Sequence, residues 1–390
     1  MEISKVYIKK GHEKRLFFGH HWIFSNELTH IPQLEPGSLV EVFNDQSRSF
    51  GFGFFNPSSL ISVRLLFTAE APDKSLFVTR IQSALNYREK LFHGSKVYRL
   101  IFGESDFLPG LIIDRYGDYL ALQSLSAGIE RNLPQIVEAL LEVMPDIKGI
   151  YAKNISNLRL MEGLELGEYL LYGTMPEENI VDEEGIKLSI SLEGGQKTGY
   201  YLDQRINRKF IRELSDGLRV LDCYTNQGGF ALNASLGGAE EVTAVDTSQP
   251  ARDKAALNSK INSFGNITLV NADVADYLEK SIGENKEWDL IILDPPAFAK
   301  NRKKIPVAKA GYGKINRLAM KLIPSGGFLA SSSCSQQIDE NDFLEIIHKE
   351  ASKQGKQLRL VFRGLQSPCH PILTAMPETK YLKFFVHQII

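Results

Sequence analysis

The chain contains little cysteine, and what it has is widely spaced. Only Cys223, Cys334 and Cys369 occur among the 390 residues, and no two of them form a CxxC pair. A disulfide framework or a cysteine zinc site needs clustered cysteines, so neither is predicted. We expect three reduced thiols and no bound metal.

Long apolar runs are absent as well. No stretch approaches the ~20 apolar residues that a membrane-spanning helix needs. The start, Met1-Glu2-Ile3-Ser4-Lys5, lacks the apolar core of a signal peptide. With 43% hydrophobic and 24% charged residues, the composition is that of an ordinary globular protein. We therefore expect a cytoplasmic protein with no membrane partner.

Acidic residues are missing from one stretch, although the net charge of -2 by itself does not indicate a nucleic-acid partner. Between Pro295 and Ile338 there is no Asp or Glu. The same stretch contains eight cations: Lys300, Arg302, Lys303, Lys304, Lys309, Lys314, Arg317 and Lys321. Such a stretch favours contact with the phosphates of a polyanion. The alternative is the solvated face of a helix.

The length predicts more than one domain. Residues 1–70 contain short alternating apolar runs, such as 38–43 and 61–67, and form a β-rich module. Residues 73–175 mix strands with helices over 73–92 and 132–143, which predicts an α+β domain. From 176 to 390 strands alternate with helices, the rhythm of an α/β domain with a parallel, doubly wound sheet.

A rigid acidic turn follows the apolar run Leu290-Ile-Ile-Leu293. It reads Asp294-Pro-Pro-Ala-Phe-Ala-Lys300, and because proline lacks an N–H, the strand must stop there. Ligands bind at the carboxyl ends of strands in open α/β sheets. The pattern predicts a reaction centre at Asp294. An acidic turn without chemistry is the alternative.

Three other strand ends carry residues suited to a nucleotide-like cofactor. The strand 218–224 runs into a glycine turn, where a backbone can approach a ligand closely. Asp246 lies 17 positions after Gly229, close to the spacing at which a carboxylate bonds ribose hydroxyls. The third strand ends at Asn271-Ala-Asp273, whose side chains could bond an adenine edge. Helix caps or turn residues are the alternative.

NAD and S-adenosylmethionine both fit these strand ends. A dinucleotide requires GxGxxG, with its pyrophosphate on a helix N-terminus. Here the turn offers Asn226 and Gln227 instead. The sequence therefore favours S-adenosylmethionine, which has no phosphate.

Four segments together resemble a known family. They are Gly195–Arg205 (GQKTGYYLDQR), Leu221–Phe230 (LDCYTNQGGF), Asp294–Phe298 (DPPAF) and Ser332–Ser335 (SSCS). In order and spacing they resemble the cytosine-C5 methyltransferases of large-subunit ribosomal RNA. The segment 103–116 is similar to the middle-domain motif of that family. The resemblance implies a PUA-like RNA-binding domain over 1–70, an α+β middle domain over 73–175 and a Rossmann-like S-adenosylmethionine-dependent methyltransferase domain over 176–390.

The resemblance also implies roles for individual residues. Those bordering the methionine end of the cofactor would be Lys197, Thr198, Tyr201, Asp203 and Arg205. Those along its centre would be Tyr224, Thr225, Gln227 and Gly229. Those at its ribose and adenine would be Asp246, Thr247, Ser248, Asn271, Ala272 and Asp273, while Asp294 would border the cofactor and face the base. Two features depart from the family pattern: Ala297 replaces the usual Lys, and Asn-Gln-Gly-Gly replaces a turn closer to Tyr-Thr-Gly-Gly. Either marks a changed target or a silent variation.

Methylation of cytosine at C5 requires a nucleophile, because C5 itself is unreactive. Addition of the Cys334 thiolate at C6 would make C5 able to attack the methyl group. The neighbouring basic stretch should lower the pKa of this thiol. Asp294 would hold or protonate the pyrimidine N3. His370 is the candidate base that removes the C5 proton, with Glu378 or a water as alternatives.

Two groups of residues are predicted to contact RNA. Cations and an aromatic side chain near the N-terminus suit unpaired bases: Lys9, Lys10, Arg15 and Trp22. The cations that follow the acidic turn suit phosphates: Lys300, Arg302, Lys303 and Lys304. An exposed hairpin is the alternative for the first group. The expected partner is large-subunit ribosomal RNA or its precursor, and a homodimer is compatible with the sequence.

Three rival functions stay open on the sequence. An RNA N-methyltransferase acting on guanine or an exocyclic amine would use the Asp-Pro-Pro-aromatic turn and need no cysteine. A non-catalytic RNA-binding assembly factor would bind the cofactor without turnover. An NAD oxidoreductase would bind NAD in place of S-adenosylmethionine.

Overall fold

The computed structural model describes residues 3–193, 199–298 and 302–390, without the side chain of Arg302. The chain divides into two compact units. The first comprises Met1–Val181, Ile190–Leu202 and Pro368–Thr379, and the second comprises Asp182–Ser189, Asp203–Ser367 and Lys380–Ile390. The predicted boundaries 1–70, 73–175 and 176–390 stay a prediction. No helix in the described part of the chain has both the length and the apolar character needed to cross a bilayer.

The first unit begins with a small sheet that has the strand order β1-β3-β4-β5-β2. Its elements are β1 (Ser4–Tyr7), α1 (Lys14–Phe17), β2 (Trp22–Phe24), β3 (Ser38–Phe43), β4 (Ser49–Phe55) and β5 (Ile61–Leu65). The alternating run 38–43 predicts β3, and the structure confirms it, since Val40 and Val42 lie in the core. This is the β-rich module expected from the sequence.

A second sheet in the first unit has the order β10-β9-β8-β7-β6. Its strands and helices are α2 (Lys74–Leu91), β6 (Val97–Phe102), β7 (Leu111–Tyr116), β8 (Tyr119–Ser124), α3 (Ala127–Arg131), α4 (Leu133–Val143), β9 (Gly149–Asn154), α5 (Leu158–Met161) and β10 (Gly167–Gly173). Asp73 caps α2 by accepting the Ser75 N–H at 2.9 Å. The predicted helices over 73–92 and 132–143 are confirmed. A hairpin of β11 (Asn179–Glu183) and β12 (Ile186–Ile190) follows.

The second unit is built on a sheet with the order β15-β14-β13-β16-β17-β19-β18. Its elements are α6 (Arg205–Leu214), β13 (Arg219–Cys223), α7 (Gly229–Leu236), β14 (Glu241–Asp246), α8 (Gln249–Ile261), β15 (Ile267–Asn271), α9 (Val274–Gly283), β16 (Leu290–Leu293), α10 (Ile305–Lys321), β17 (Phe328–Ser333), α11 (Glu340–Ser352), β18 (Leu358–Gly364) and β19 (Lys383–Ile389). The α/β architecture expected from the sequence is confirmed.

The central strands are buried on both faces. All four residues of β16 are inaccessible to solvent, and successive side chains join opposite core layers: Ile291 and Leu293 one, Leu290 and Ile292 the other. This burial explains why β16 reads as a continuous apolar run, as strands of parallel sheets do.

The expectation of a parallel sheet is wrong at one edge. Strands β13 to β17 pair in parallel, but β19 pairs antiparallel with both β17 and β18. The sequence of β19, Lys383-Phe-Phe-Val-His-Gln-Ile389, has neither a helical period nor a regular alternation. Its direction is set by the return of the chain to the sheet, which local sequence does not encode.

Asp222, near the end of β13, links this strand to α7 through hydrogen bonds. It is fully buried, and its Oδ2 accepts hydrogen bonds from Thr225 Oγ1 at 2.6 Å and from the Ala231 N–H at 3.0 Å. Its Oδ1 has no hydrogen-bond partner among the described residues. Burial raises the pKa of Asp222 to about 7, against the effect of these two hydrogen bonds.

Asp222→Asn should therefore change how stability depends on pH. Because the folded-state pKa exceeds the unfolded value of about 3.9, the folded protein binds the extra proton, and the free energy of unfolding falls as pH rises from about 4 to about 7. Asparagine keeps an acceptor and does not titrate. We expect the Tm of D222N relative to wild type to rise by ~5 °C between pH 5 and pH 8, equivalent to ~2 kcal/mol. A Tm difference that is the same at both pH values would contradict this, whatever its size.

Candidate functional site

The candidate functional side chains of the second unit lie where the parallel strands of its sheet end, which we call the carboxyl edge. Strands β13 to β17 run parallel, so their carboxyl ends meet there. Asp294 and Cys334 follow β16 and β17, which pair directly with Leu293 opposite Ser331. The other predicted residues at this edge follow β13, β14 and β15: Tyr224, Thr225, Gln227, Gly229, Asp246, Thr247, Ser248, Asn271, Ala272 and Asp273.

The turn after β13 has an unusual backbone. Tyr224, Asn226 and Gly228 have φ values of +63°, +50° and +83°, in the left-handed region that favours glycine. A Cβ on Gly228 would lie 3.3 Å from Ala255 Cβ, so glycine also allows the close approach of α8. The chain therefore turns tightly at the end of β13, close to α8.

Asp246 supports this turn from β14. Its Oδ2 accepts the Asn226 N–H at 2.9 Å, and its Oδ1 accepts the Ser248 N–H at 2.8 Å. Ser248 in turn caps α8, with its Oγ accepting from the Ala251 N–H, while Thr247 is exposed. Each carboxylate oxygen keeps a second lone pair for another donor such as a ribose hydroxyl.

Asp273 has the capping role that the sequence left open. Its Oδ1 accepts the N–H groups of Ala275 at 2.8 Å and Asp276 at 3.2 Å, at the start of α9. Asn271 is exposed, and Ala272 packs against the core. A contact of Asp273 with adenine stays a prediction.

Asp203 offers a carboxylate oxygen that no described group uses. Its Oδ2 accepts from the Tyr381 hydroxyl at 2.7 Å, whereas its buried Oδ1 has no hydrogen-bond partner among the described residues. A buried carboxylate oxygen in this condition suits an ammonium group. Arg205 is already engaged, since its Nε donates to Glu184 Oε1 at 2.8 Å. Lys197 and Thr198 lie outside the described residues, and Tyr201 belongs to the first unit.

These hydrogen-bond acceptors fit S-adenosylmethionine better than a dinucleotide. At the strand ends, Asp203 has a carboxylate oxygen without a partner among the described residues, which suits an amino group, and Asp246 provides a second carboxylate for hydroxyls. Carboxylates would repel a pyrophosphate, whereas a cationic cofactor without phosphate meets no such repulsion.

Asp294 lies in a polar network. Gln204 Nε2 lies 2.9 Å from Asp294 Oδ1 and 3.0 Å from Ser332 Oγ, so one amide joins the ends of β16 and β17. Asn207 orients this amide by donating to Gln204 Oε1 at 2.6 Å. Burial raises the pKa of Asp294 to about 6, against hydrogen bonding by Ser332, and the negative charge of Asp203 adds to the rise. The carboxyl group can therefore exchange a proton near neutral pH.

Cys334 is half-buried and is held from both sides. The Tyr312 hydroxyl lies 3.0 Å from the Oγ of Ser333 and 3.0 Å from the Oγ of Ser335. Lys383 Nζ donates to the Ser335 carbonyl at 2.7 Å. The backbone on either side of the thiol is therefore fixed.

His370 belongs to the first unit, whereas Asp294 and Cys334 belong to the second. It is buried, its ring centroid lies 5.1 Å from that of Phe102, and its Nδ1 lies 3.2 Å from the Sγ of Cys369. Its role as a base stays a prediction.

The N-terminal candidates for RNA contact are engaged to different degrees. Arg15 forms an ion pair with Glu27, so its charge is neutralised within the unit. The Trp22 indole N–H donates to Glu104 Oε1 at 2.8 Å. Lys9 Nζ donates to the Asn26 carbonyl at 2.8 Å but is exposed, as is Lys10.

Part of the positive charge in the basic stretch after Asp294 is neutralised by carboxylates in the folded protein. Three of its cations are paired with carboxylates: Lys309 with Asp342 at 2.6 Å, Lys314 with Glu279 at 3.0 Å and Arg317 with Glu350 at 3.5 Å. Lys303 and Lys304 are exposed. Lys300 and the Arg302 side chain lie outside the described residues. The solvated helix face is thus the better interpretation for the α10 part of the stretch.

Sequence reasoning missed several residues of the site: Gln204, Tyr312, Ser332, Tyr381 and Lys383. Lys383 carried a signal, because a single lysine in the apolar run Leu382-Lys-Phe-Phe-Val386 must be buried with partners. Gln204 lies between two predicted residues. Nothing in the sequence indicates that its amide joins two distant strands.

Two family models match the chain. Residues 6–68 match a PUA-like domain, and residues 166–384 match the S-adenosylmethionine-dependent methyltransferases. The second match covers more than half of the chain, so the expected cofactor, S-adenosylmethionine, is confirmed.

Curated relatives align over the whole length. "Ribosomal RNA large subunit methyltransferase I" of Vibrio vulnificus is 38% identical over 398 residues, covering 99% of this chain and 100% of the relative. The protein of the same name from Klebsiella pneumoniae is 37% identical over 394 residues, covering 99% of this chain and 98% of the relative.

Solved structures share the fold. A methyltransferase-fold protein from Streptococcus mutans has a TM-score of 0.85 and 23% identity, covering 99% of this chain and 100% of that one. A second structure, SMU.776 complexed with SAH, has a TM-score of 0.87 and 24% identity, again covering 99% of this chain and 100% of that one. At this level of identity the likeness concerns the fold. From the family models and the full-length relatives together, the chain belongs to the S-adenosylmethionine-dependent methyltransferases, in the family of the ribosomal RNA large subunit methyltransferases I.

Proposed function

We propose that this protein methylates C5 of a cytosine in large-subunit ribosomal RNA, through a covalent adduct of Cys334. The ribosomal RNA substrate is supported by the name of relatives that align with the chain from end to end. The C5 chemistry is supported above all by one observation. Asp294 and Cys334 follow two directly paired strands, and Gln204 joins Asp294 to Ser332 between them.

In the proposed reaction the Cys334 thiolate forms a bond to C6 of the cytosine, and the C5–C6 electron pair shifts towards C5 and N3. Neutral Asp294 donates a proton to N3, which a carboxyl group with a pKa of about 6 can do near neutral pH. When bound, S-adenosylmethionine would supply the electrophilic methyl group that C5 attacks, with S-adenosylhomocysteine as the leaving group. A base then removes the C5 proton, the S–C6 bond breaks to release the Cys334 thiolate, and the N3 proton returns to Asp294. His370 is our candidate for that base, with Glu378 or a water as alternatives.

The cofactor contacts in this proposal follow the strand ends. Asp203 Oδ1 would accept from the amino group of the methionine part, and Asp246 would accept from the ribose hydroxyls. The turn from Tyr224 to Gly229 would border the centre of the cofactor. Asn271 to Asp273 would border its adenine. Lys197, Thr198, Tyr201 and Arg205 keep their proposed place near the methionine end.

The PUA-like domain would bind RNA through Lys9, Lys10, Arg15 and Trp22. The phosphates would be bound by Lys300, Arg302, Lys303 and Lys304. Exposure supports Lys10, Lys303 and Lys304 most directly. A homodimer stays a prediction.

Cys334→Ala should abolish formation of 5-methylcytidine. Unmodified large-subunit ribosomal RNA is incubated with methyl-labelled S-adenosylmethionine, and nucleosides are identified by mass spectrometry. We expect labelled 5-methylcytidine from wild type and a loss of more than ~100-fold in C334A, since the nucleophile is removed.

Wild type should also form a protein–RNA adduct that survives denaturation when the cytosines carry fluorine at C5, because fluorine cannot leave as a proton does. A labelled N-methylated base that persists in C334A would instead indicate the N-methyltransferase. RNA binding without production of S-adenosylhomocysteine would indicate the assembly factor.

Asp294→Asn should remove one ionisation from the pH profile. If neutral Asp294 protonates N3, its active form is lost as pH rises above about 6. The ratio of single-turnover rates, wild type over D294N, should be constant below pH 6 and fall by up to ~10-fold per unit above it. Titration of Cys334 affects both proteins and cancels in the ratio. A ratio that is flat or rises with pH would exclude this role.

Lys303→Ala/Lys304→Ala should weaken RNA binding in a salt-dependent manner. Each lost phosphate contact reduces the slope of log Kd against log salt concentration by about 1. The matched control is Lys314→Ala/Arg317→Ala, which removes the same charge but from side chains already paired with Glu279 and Glu350. Equal losses of affinity in both double variants would show that net charge matters and the position of Lys303 and Lys304 does not.

A further inference from the structure

Lys383 is a charged residue in an apolar position. It opens β19, where the next three residues, Phe384, Phe385 and Val386, are fully buried. Lys383 itself is only 4% exposed. Burying an ammonium group is costly unless hydrogen bonds or an opposite charge compensate, so its surroundings indicate its role.

The strand register places Lys383 next to the candidate nucleophile. β19 is antiparallel to β17, and Lys383 lies opposite Ser333, the residue before Cys334. Lys383 Nζ donates to the Ser335 carbonyl at 2.7 Å and to the Tyr381 carbonyl at 2.8 Å. The first of these bonds fixes the backbone immediately after Cys334. An ammonium has three N–H donors, so these two bonds leave a third donor for a neighbouring anion.

The carboxylates near Lys383 already have other partners, so the Cys334 thiolate is a suitable partner for its ammonium group. Those that act on it electrostatically are Cys334, Asp339, Glu340 and Lys380. Asp339 caps α11 by accepting the Asp342 N–H at 2.8 Å, and Glu340 is paired with Arg363 and Lys380. Tyr312, in α10, also interacts electrostatically with Cys334. Both carboxylates near Lys383 therefore have other partners.

We infer that Lys383 is a positioning residue for Cys334, holding the 333–335 backbone through the Ser335 carbonyl and stabilising the thiolate with its ammonium group. The S–H proton leaves to a solvent base, and Lys383 keeps its own protons throughout. Burial lowers the pKa of Lys383 to about 8, so the ammonium form is still the main one at pH 7. The use of this thiolate on RNA rests on the proposed function, but the reactivity of the thiol does not.

The test measures that reactivity directly, without RNA or cofactor. The full-length protein is treated with iodoacetamide at pH 5.5 to 9.5, and alkylation of Cys334 is followed by peptide mass spectrometry. We expect Lys383→Met to slow alkylation of Cys334 by ~10-fold at pH 7 and to move the pH midpoint of the rate up by about one unit. Lys383→Arg keeps the charge and should restore most of the wild-type midpoint.

A matched control is available in Lys356. Its Nζ also donates to backbone carbonyls, those of Met320 and Ile323, and burial also lowers its pKa. It precedes β18, which runs parallel to β17, so it lies at the opposite end of the sheet from Cys334. Lys356→Met should lower the Tm but leave the alkylation midpoint of Cys334 unchanged.

Two results would overturn the inference. One is a K383M midpoint equal to that of wild type, and the other is an equal shift in K356M, which would point to general loosening. If K383M does not fold, wild type and K383R decide together. A wild-type Cys334 midpoint at or above the ordinary thiol value of about 8.5 would exclude a stabilised thiolate. A wild-type midpoint below that value, retained in K383R, would support the inference. Failure of the proposed function would appear separately, as a shifted midpoint in K383M together with no 5-methylcytidine from wild type.

Discussion

The parallel pairing of β13, β14, β16 and β17 is the constraint on which the candidate site depends. The buried apolar residues of these strands belong to two core layers, one on each face of the sheet. A shift of one residue in register would turn every side chain of a strand to the opposite face. The positions of Asp246, Asp294 and Cys334 just beyond the strand ends therefore follow from how the apolar residues pack.

The polar groups at this edge depend on one another because most of them are buried. Gln204, Asp294 and Ser332 share one amide group, and Ser333 and Ser335 share the hydroxyl of Tyr312. A buried polar group that loses its partner costs more free energy than the hydrogen bond contributes, so such networks tend to hold a single geometry. Rigid positioning of a nucleophile and an acid is what the proposed adduct chemistry requires.

Burial affects the pKa values of the site residues more than the number of nearby charges does. Asp294 and Lys383 both have pKa values moved towards neutrality, mainly by burial. The long run of cations after Asp294 matters less than its sequence indicates, since Lys309, Lys314 and Arg317 pair with carboxylates of other elements. Two cations of that run, Lys303 and Lys304, are exposed to solvent and keep their charge available for a polyanion.

The sequence by itself determined the α/β architecture and the strand ends that carry Asp246, Asp294 and Cys334. Apolar periodicity and proline stops are local signals, and they act whatever the rest of the chain does. The direction of β19, the pairing of Arg15 with Glu27 and the joining of Asp294 to Ser332 by Gln204 were decided only by the tertiary structure. Gln204 and Ser332 are 128 positions apart, and Lys383 comes 48 positions after Ser335. Contacts of this kind depend on chain topology and on the cost of burying unpaired polar groups, and a local sequence window contains neither.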